Sequence, residues 1–306
     1  MTALRPPDDA RPDYARTRGR YYDGERDHCA QHYRRTGAAD SFGRRGLACA
    51  TRVSWDPQQY ARFAAPRLRP ALDLVARIPL ERPRSVVDLG CGTGNVTRIL
   101  RQRWAGAAIT GIDGSPQMLA EARRSDASIA WEQVDVAVWN PPGEFDLVFS
   151  NAALHWLDGH PALFARLSRK VAAGGVLAVQ MPRNFNAPSH TLMHELASSA
   201  PWRDALAARL RPQPVLAPEA YYGLLAASAR TLDIWETEYL QVLEGENPVA
   251  EWTKGTWLAP LLAALAPDAR AAFEAEYRSR VAQAYPRRPD GKTLFPFRRL
   301  FIVAGF

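Results

Sequence analysis

Three carboxylates and one amide, each closing a short apolar run, are the residues of this chain best placed to do chemistry. The run Val86-Val-Asp-Leu-Gly-Cys-Gly-Thr-Gly94 reads as a buried strand that turns through glycines into a helix. Its β-branched start suits a parallel strand covered on both faces. Asp88 then falls at the carboxyl edge, where ligands of open α/β sheets sit. Gly90, Gly92 and Gly94 let backbone approach a ligand closely, with Cys91 as a small packing residue between them. The second run, Ala107 to Ile112, ends in Asp113, followed by Gly114 and the helix opening that carries Met118. A carboxylate roughly 20 residues beyond a glycine turn is where one βαβ unit delivers an acceptor for both hydroxyls of an unphosphorylated ribose. A third run leads to Asp135 and Val136, and a fourth, from Phe145, ends in Asn151. Together they describe a crevice for a nucleotide-like cofactor.

The glycine spacing separates two kinds of cofactor. In G-x-G-x-x-G the turn cradles a pyrophosphate on a helix N-terminus. The frame from Gly90 reads G-C-G-T-G-N, so Asn95 occupies the sixth position and is expected to cap the helix. An acid before the first glycine suits an amino group rather than a phosphate.

To position these groups the chain must alternate strands and helices, which predicts a doubly wound, mostly parallel α/β sheet of seven strands with a helical cap. Leu68, Leu72, Val75 and Ile78 mark a first helix, stopped by Pro79. Ser115 and Pro116 read as a helix cap and first-turn residue. The fifth strand is placed at Gly175 to Met181, a sixth at Leu232 to Leu243 and the last at Arg299 to Ala304. Two helices, about Pro248 to Leu265 and Pro267 to Tyr285, lie between these last two strands. Residues 1–50, with ten arginines and seven acids but no apolar period, read as a disordered N-terminal extension or an upstream start. Residues 51–306 read as one domain, its core about 67–181 and 231–306 and its cap mainly 182–230 and 247–286.

Composition narrows the function classes. The net charge is +7 over 306 residues, yet no block of like charges or basic–aromatic interleaving suggests nucleic acid. Arginine in excess over lysine also fits an enzyme of small anionic substrates, because the guanidinium fork binds carboxylates in pairs. No apolar run is long enough for a membrane span, and the start lacks a signal-peptide core, so a cytoplasmic protein is expected. The three cysteines form no C-x-x-C pair, which gives no disulfide framework and no metal site. A monomer or weak dimer is expected.

The D-x-G-x-G-x-G arrangement resembles the first motif of class I S-adenosylmethionine-dependent methyltransferases. That resemblance implies S-adenosylmethionine as cofactor, with Asp88 and the glycine loop around its methionine part and Asp135–Val136 at its adenine. Longer stretches resemble the trans-aconitate 2-methyltransferase family over about residues 54–304. They are Trp55-x-Pro-x-x-Tyr60, Arg67-x-Arg-Pro70, Ile109 to Asp113, Pro116 to Ala122, Leu177 to Pro182, Tyr221-Tyr222, Asp233 to Trp235, Trp252 and Arg299 to Ala304. That family esterifies a carboxylate of trans-aconitate. A carboxylate is ionised at neutral pH and needs no general base. Positioning would then carry catalysis, with Arg299 and Arg67 clamping carboxylates that do not react. Tyr60 and Trp55 are expected over the cofactor or acceptor, His155 and Trp156 near the methyl, and Tyr222 and Trp252 in the acceptor wall.

One stretch departs from the family's threonine-glycine-leucine-arginine-proline pattern. Thr256-Trp-Leu-Ala-Pro260 carries Trp257 for the glycine and Ala259 for the arginine. Another small carboxylic acid or an acyl chain therefore stays open as acceptor. RNA or protein methylation, a binding module without catalysis and a dehydrogenase are more distant alternatives.

Overall fold

The computed structural model describes backbone from residue 64 and side chains from residue 68, through residue 306 with position 211 excepted. Trp55, Tyr60, the side chain of Arg67 and the 1–50 segment lie outside the described residues.

The first helix, α1 (Ala64–Ala76), buries Leu74 and Val75, while Leu72 turns to solvent. Then β1 (Ser85–Leu89), α2 (Asn95–Arg103), β2 (Ala108–Asp113), α3 (Pro116–Ser125) and β3 (Ala130–Gln133) build two successive βαβ units. They are followed by β4 (Phe145–Asn151), a 3₁₀ turn at Leu154–Trp156, α4 (His160–Ser168) and β5 (Val171–Pro182). Beyond these come α5 (Pro188–Ala197), α6 (Arg203–Leu206), α7 (Pro218–Leu225), β6 (Thr231–Leu243), α8 (Pro248–Lys254), α9 (Leu258–Ala263), α10 (Pro267–Ala284) and β7 (Thr293–Gly305).

The seven strands lie in the order β3-β2-β1-β4-β5-β7-β6. Only β7 runs against its neighbours β5 and β6. Chain order reverses between β1 and β4, the switch point beside which such sheets bind ligands. One face is covered by α1, α2 and α3 through Leu74, Ile78, Leu100 and Leu119. The other is covered by α4 and α7 through Phe164, Leu167, Tyr221 and Leu225. A third cluster joins α5, α8, α9 and α10 to the far ends of β6 and β7, where Phe295 and Phe297 stand among Trp252, Leu258, Phe273 and Tyr277.

Three expectations are corrected. The helix at Pro218–Leu225 packs on the sheet, against α4 and β6, and is not part of a cap. The last strand begins at Thr293 rather than Arg299, since Pro296 sits within a strand whose flanking Phe295 and Phe297 alternate inward. The single helix expected from Pro248 to Leu265 is two, broken at Gly255–Trp257.

Candidate functional site

The glycine loop is fastened before any ligand arrives. Gly90 and Cys91 both donate to the Ile112 carbonyl, at 2.8 and 2.9 Å, which ties the turn to β2. Gly90, Gly92 and Gly94 all have positive φ, +73°, +57° and +77°, in the left-handed region that side chains resist. A Cβ on Gly94 would also run into the Trp131 ring, and one on Gly90 into Ala153. A Cβ built on Gly92 would meet nothing, so open space lies beside that part of the turn. Gly94 itself is the α2 N-cap; Asn95 lies one residue inside, its Oδ1 accepting from Arg98, so the expected Asn95 cap is not made. Cys91 is a buried thiol whose burial raises its pKa, consistent with packing rather than reactivity.

The acids at the strand ends differ in role. Asp88 is only 2% exposed, and its Oδ2 accepts from Thr97 Oγ1 at 2.7 Å. Burial raises its carboxyl to about 7; the Thr97 bond opposes this, and the Asp113 charge adds to it. Asp88 therefore braces loop against helix. Asp113 accepts from Gly92 N–H at 2.9 Å through Oδ2 and from Ser115 N–H at 2.8 Å through Oδ1. Each of its oxygens keeps a second lone pair, as two ribose hydroxyls would require. Gly114 is exposed beside it, and Ser115 caps α3 by accepting from Met118 N–H at 3.3 Å. Asp135 takes Ala137 N–H at 2.8 Å, shaping the turn after β3, with Val136 buried behind.

The edge formed by β4, β5 and β7 is built differently. Ala152, directly after Asn151, has φ 53°, a strained conformation for a side-chain residue and one that clusters at functional sites. Its N–H donates to the Gln180 carbonyl at 2.9 Å, fixing the turn across β5. Asn151 Oδ1 is buried without a hydrogen-bond partner, an acceptor available to an ammonium group. His155, 5% exposed, has no partner on Nδ1. Burial holds its pKa well below the ordinary imidazole range, reinforced by Arg299 and by His160 and His190, so it stays neutral.

Arg299 is 6% exposed and lies with its guanidinium 4.5 Å from the Phe297 ring centre. Nearby, Tyr239 donates to Asp73 Oδ2 at 2.6 Å, and Arg69 of α1 lies 5.2 Å over its ring. Burial and Asp73 raise the Tyr239 pKa, against the charges of Arg69 and Arg299. Arg69 and Gln180 lie within the family-resembling stretches Arg67-x-Arg-Pro70 and Leu177 to Pro182, but neither is among the site residues expected from the sequence. A polar residue inside the apolar run Leu177-Ala-Val-Gln-Met is a signal for Gln180.

Aromatic rings close the cap side. Trp257 stacks on Trp156 with centroids 4.7 Å apart, and Phe185 meets Trp257 edge-on at 5.2 Å. His155 lies 4.6 Å from Trp156 and 6.3 Å from Trp257. The substitution Trp257 thus faces the site, while Ala259 sits in α9 with a half-buried side chain. Two other expectations change. Tyr222 is 61% exposed on α7 and is not brought to this edge. Trp252 belongs to the cap core, against Phe295 and Phe297, and Phe297 is the ring over which the Arg299 guanidinium lies.

Known proteins share both the fold and the sequence. Residues 86–175 match a family model described as a methyltransferase domain. Among solved structures, a putative methyltransferase from Bacillus halodurans C-125 superposes with a TM-score of 0.51 at 11% identity, covering 78% of this chain and 98% of that one. This likeness shows the fold. Among curated proteins, trans-aconitate 2-methyltransferase of Azoarcus sp. strain BH72 is 47% identical over 251 residues, covering 82% of this chain and 98% of that protein. The Methylobacterium nodulans enzyme of the same name is 49% identical over 253 residues, with the same coverage. With two such relatives matched along nearly their whole length, this chain belongs to the trans-aconitate 2-methyltransferase family.

Proposed function

We propose that the chain transfers the methyl group of S-adenosylmethionine to a carboxylate of trans-aconitate, giving the monomethyl ester and S-adenosylhomocysteine. The observation that carries this reading is the near-half identity to trans-aconitate 2-methyltransferases over 82% of the chain. The site fits the cofactor: open space at Gly92, the Asp113 carboxylate at the end of β2 and the unpaired Asn151 Oδ1 supply the contacts its parts need. When bound there, S-adenosylmethionine supplies a methyl group on a positively charged sulfur.

The residues then have separable tasks. Asp113 and the turn after β3 orient the nucleoside, while Asp88, tied to Thr97, keeps the loop in shape. Asn151, at the end of β4, would accept from the ammonium of the amino acid part through its unpaired Oδ1. Arg299, stacked on Phe297, holds a carboxylate that does not react, through charge-assisted bonds. Arg67 and Arg69, on the first turns of α1, are further cations for the same work. Neutral His155 takes no proton, and none needs taking, because the attacking carboxylate is ionised. Rate enhancement comes from holding oxygen, methyl and sulfur in line with water excluded by Trp156, Trp257 and Phe185.

A second reading has its own support. The aromatic wall at Trp257 favours an acid with an acyl arm over one with a further carboxylate on that side. Methyl transfer from labelled S-adenosylmethionine to trans-aconitate, cis-aconitate, citrate, isocitrate and a monocarboxylate separates the two. The first reading expects a base-labile monomethyl ester made preferentially from trans-aconitate. Equal or faster turnover of the monocarboxylate would replace it by the second.

A further inference from the structure

Strand register gathers three polar side chains, from positions far apart in the chain, on the α1 face of the carboxyl edge. Asn151 on β4 pairs directly with Gln180 on β5. Gln180 in turn pairs with Phe301 on β7, and Pro182 with Arg299. Residues two apart on a strand share a face, so Arg299 lies on the same side as Phe301, one step outward from Gln180. Ala178 and Phe301 of this face belong to the cluster under α1. Gln180 is 0% exposed, and neither its Nε2 nor its Oε1 has a hydrogen-bond partner.

An amide buried with both ends unpaired is costly, and the buried hydroxyls of Ser150 and Thr97 at the same edge avoid that cost. Ser150 donates to the Leu89 carbonyl and Thr97 to Asp88. Methionine, of nearly the same shape, would fill the place without any polar penalty. What an amide adds is two N–H donors beside a guanidinium. A carboxylate accepts at several lone pairs, of which an arginine fork takes one side.

We infer that Gln180 is an acceptor-binding residue: the fold keeps its amide unpaired so that Nε2 donates to a carboxylate oxygen of the methyl acceptor beside Arg299. This rests on the reading of the chain as a carboxylate methyltransferase. Bound acceptor removes the penalty that the free protein carries, so binding strength and chain stability draw on the same side chain in opposite directions.

The test compares wild type with Gln180→Met and Gln180→Glu in thermal unfolding, S-adenosylhomocysteine binding and steady-state kinetics on trans-aconitate. Gln180→Met is expected to unfold at the same or a higher temperature and to bind S-adenosylhomocysteine as wild type does. Its kcat/KM should fall at least tenfold, chiefly through KM. Gln180→Glu, isosteric but repelling a carboxylate, should fall further at neutral pH. Unchanged kinetics in both variants, with wild type active, would overturn the role of Gln180 alone. Joint loss of stability and S-adenosylhomocysteine affinity would overturn it too, making Gln180 a structural support. A wild type that esterifies no acid would overturn the carboxylate reading first, and this inference with it.

Discussion

The two halves of the carboxyl edge differ in how their polar groups are satisfied. Along β1 and β2, Asp88 is bonded to Thr97, Asp113 to Gly92 and Ser115, and the loop amides to the Ile112 carbonyl. Along β4, β5 and the turns just beyond their carboxyl ends, Asn151, His155, Gln180, Arg183 and Asn184 each bury at least one side-chain atom without a partner. Only Arg166 adds to that group among the described residues. A cradle for a cofactor common to many reactions can be finished in advance. On the proposed reading the cofactor's ammonium completes Asn151 and the methyl acceptor completes Gln180, so the unpaired groups serve recognition at a cost to the free protein.

The comparison breaks most severely at the finished half. Gly94→Ala forces a side chain into left-handed backbone and against Trp131, a backbone cost of about 1–2 kcal/mol plus overpacking of about 1–3 kcal/mol. A lowered urea midpoint with S-adenosylhomocysteine affinity lost is the expected outcome; wild-type behaviour in both would show the turn to be slack. Asp113→Asn removes the charge from two backbone bonds. Charged hydrogen bonds contribute about 1.5–3 kcal/mol, so S-adenosylhomocysteine affinity by calorimetry should fall about tenfold or more. The acceptor's KM should move little.

Asp88→Asn leaves the turn in place and shows its effect in the pH dependence of stability. The folded carboxyl is raised to about 7 from an ordinary 3.8, so the native state binds more protons than the unfolded chain between those values. Its contribution is present below the unfolded value and is lost as pH rises through about 7. The Asn variant should therefore gain stability over wild type at pH 8 relative to pH 5, measured by thermal unfolding. A constant difference between the two proteins across that range would contradict the protonated, buried carboxyl.

The same contrast explains what could be read from the letters. The cofactor half is local: one strand, one turn and one helix place Asp88, the glycines and Asp113, and spacing along the chain is spacing in the site. Even there Asn95 is not the cap its residue type suggests, because a glycine in left-handed backbone takes that position. The β5–β7 side is made by register between strands more than a hundred residues apart, so although Gln180 and Arg69 fall within stretches that resemble the family, spacing along the chain does not bring them to the site. The apolar residues around Tyr221 and Leu225 read as a helix, but the sequence does not tell which layer buries it, and Tyr222, expected in the acceptor wall, points to solvent. Proline at 296 obscures the length of β7, although the aromatic residues on either side of it carry the inward alternation.

The most direct test of the central claim is the kinetics of Arg299→Ala on trans-aconitate and on a monocarboxylate, with S-adenosylhomocysteine affinity measured in parallel. A fixed cation that clamps a non-reacting carboxylate predicts loss on trans-aconitate by about thirtyfold or more. Turnover of the monocarboxylate and cofactor affinity should barely change, erasing the preference between acids. Proportionate loss on both acids, or none on either, would contradict the clamp and return Arg299 to a structural role over Phe297.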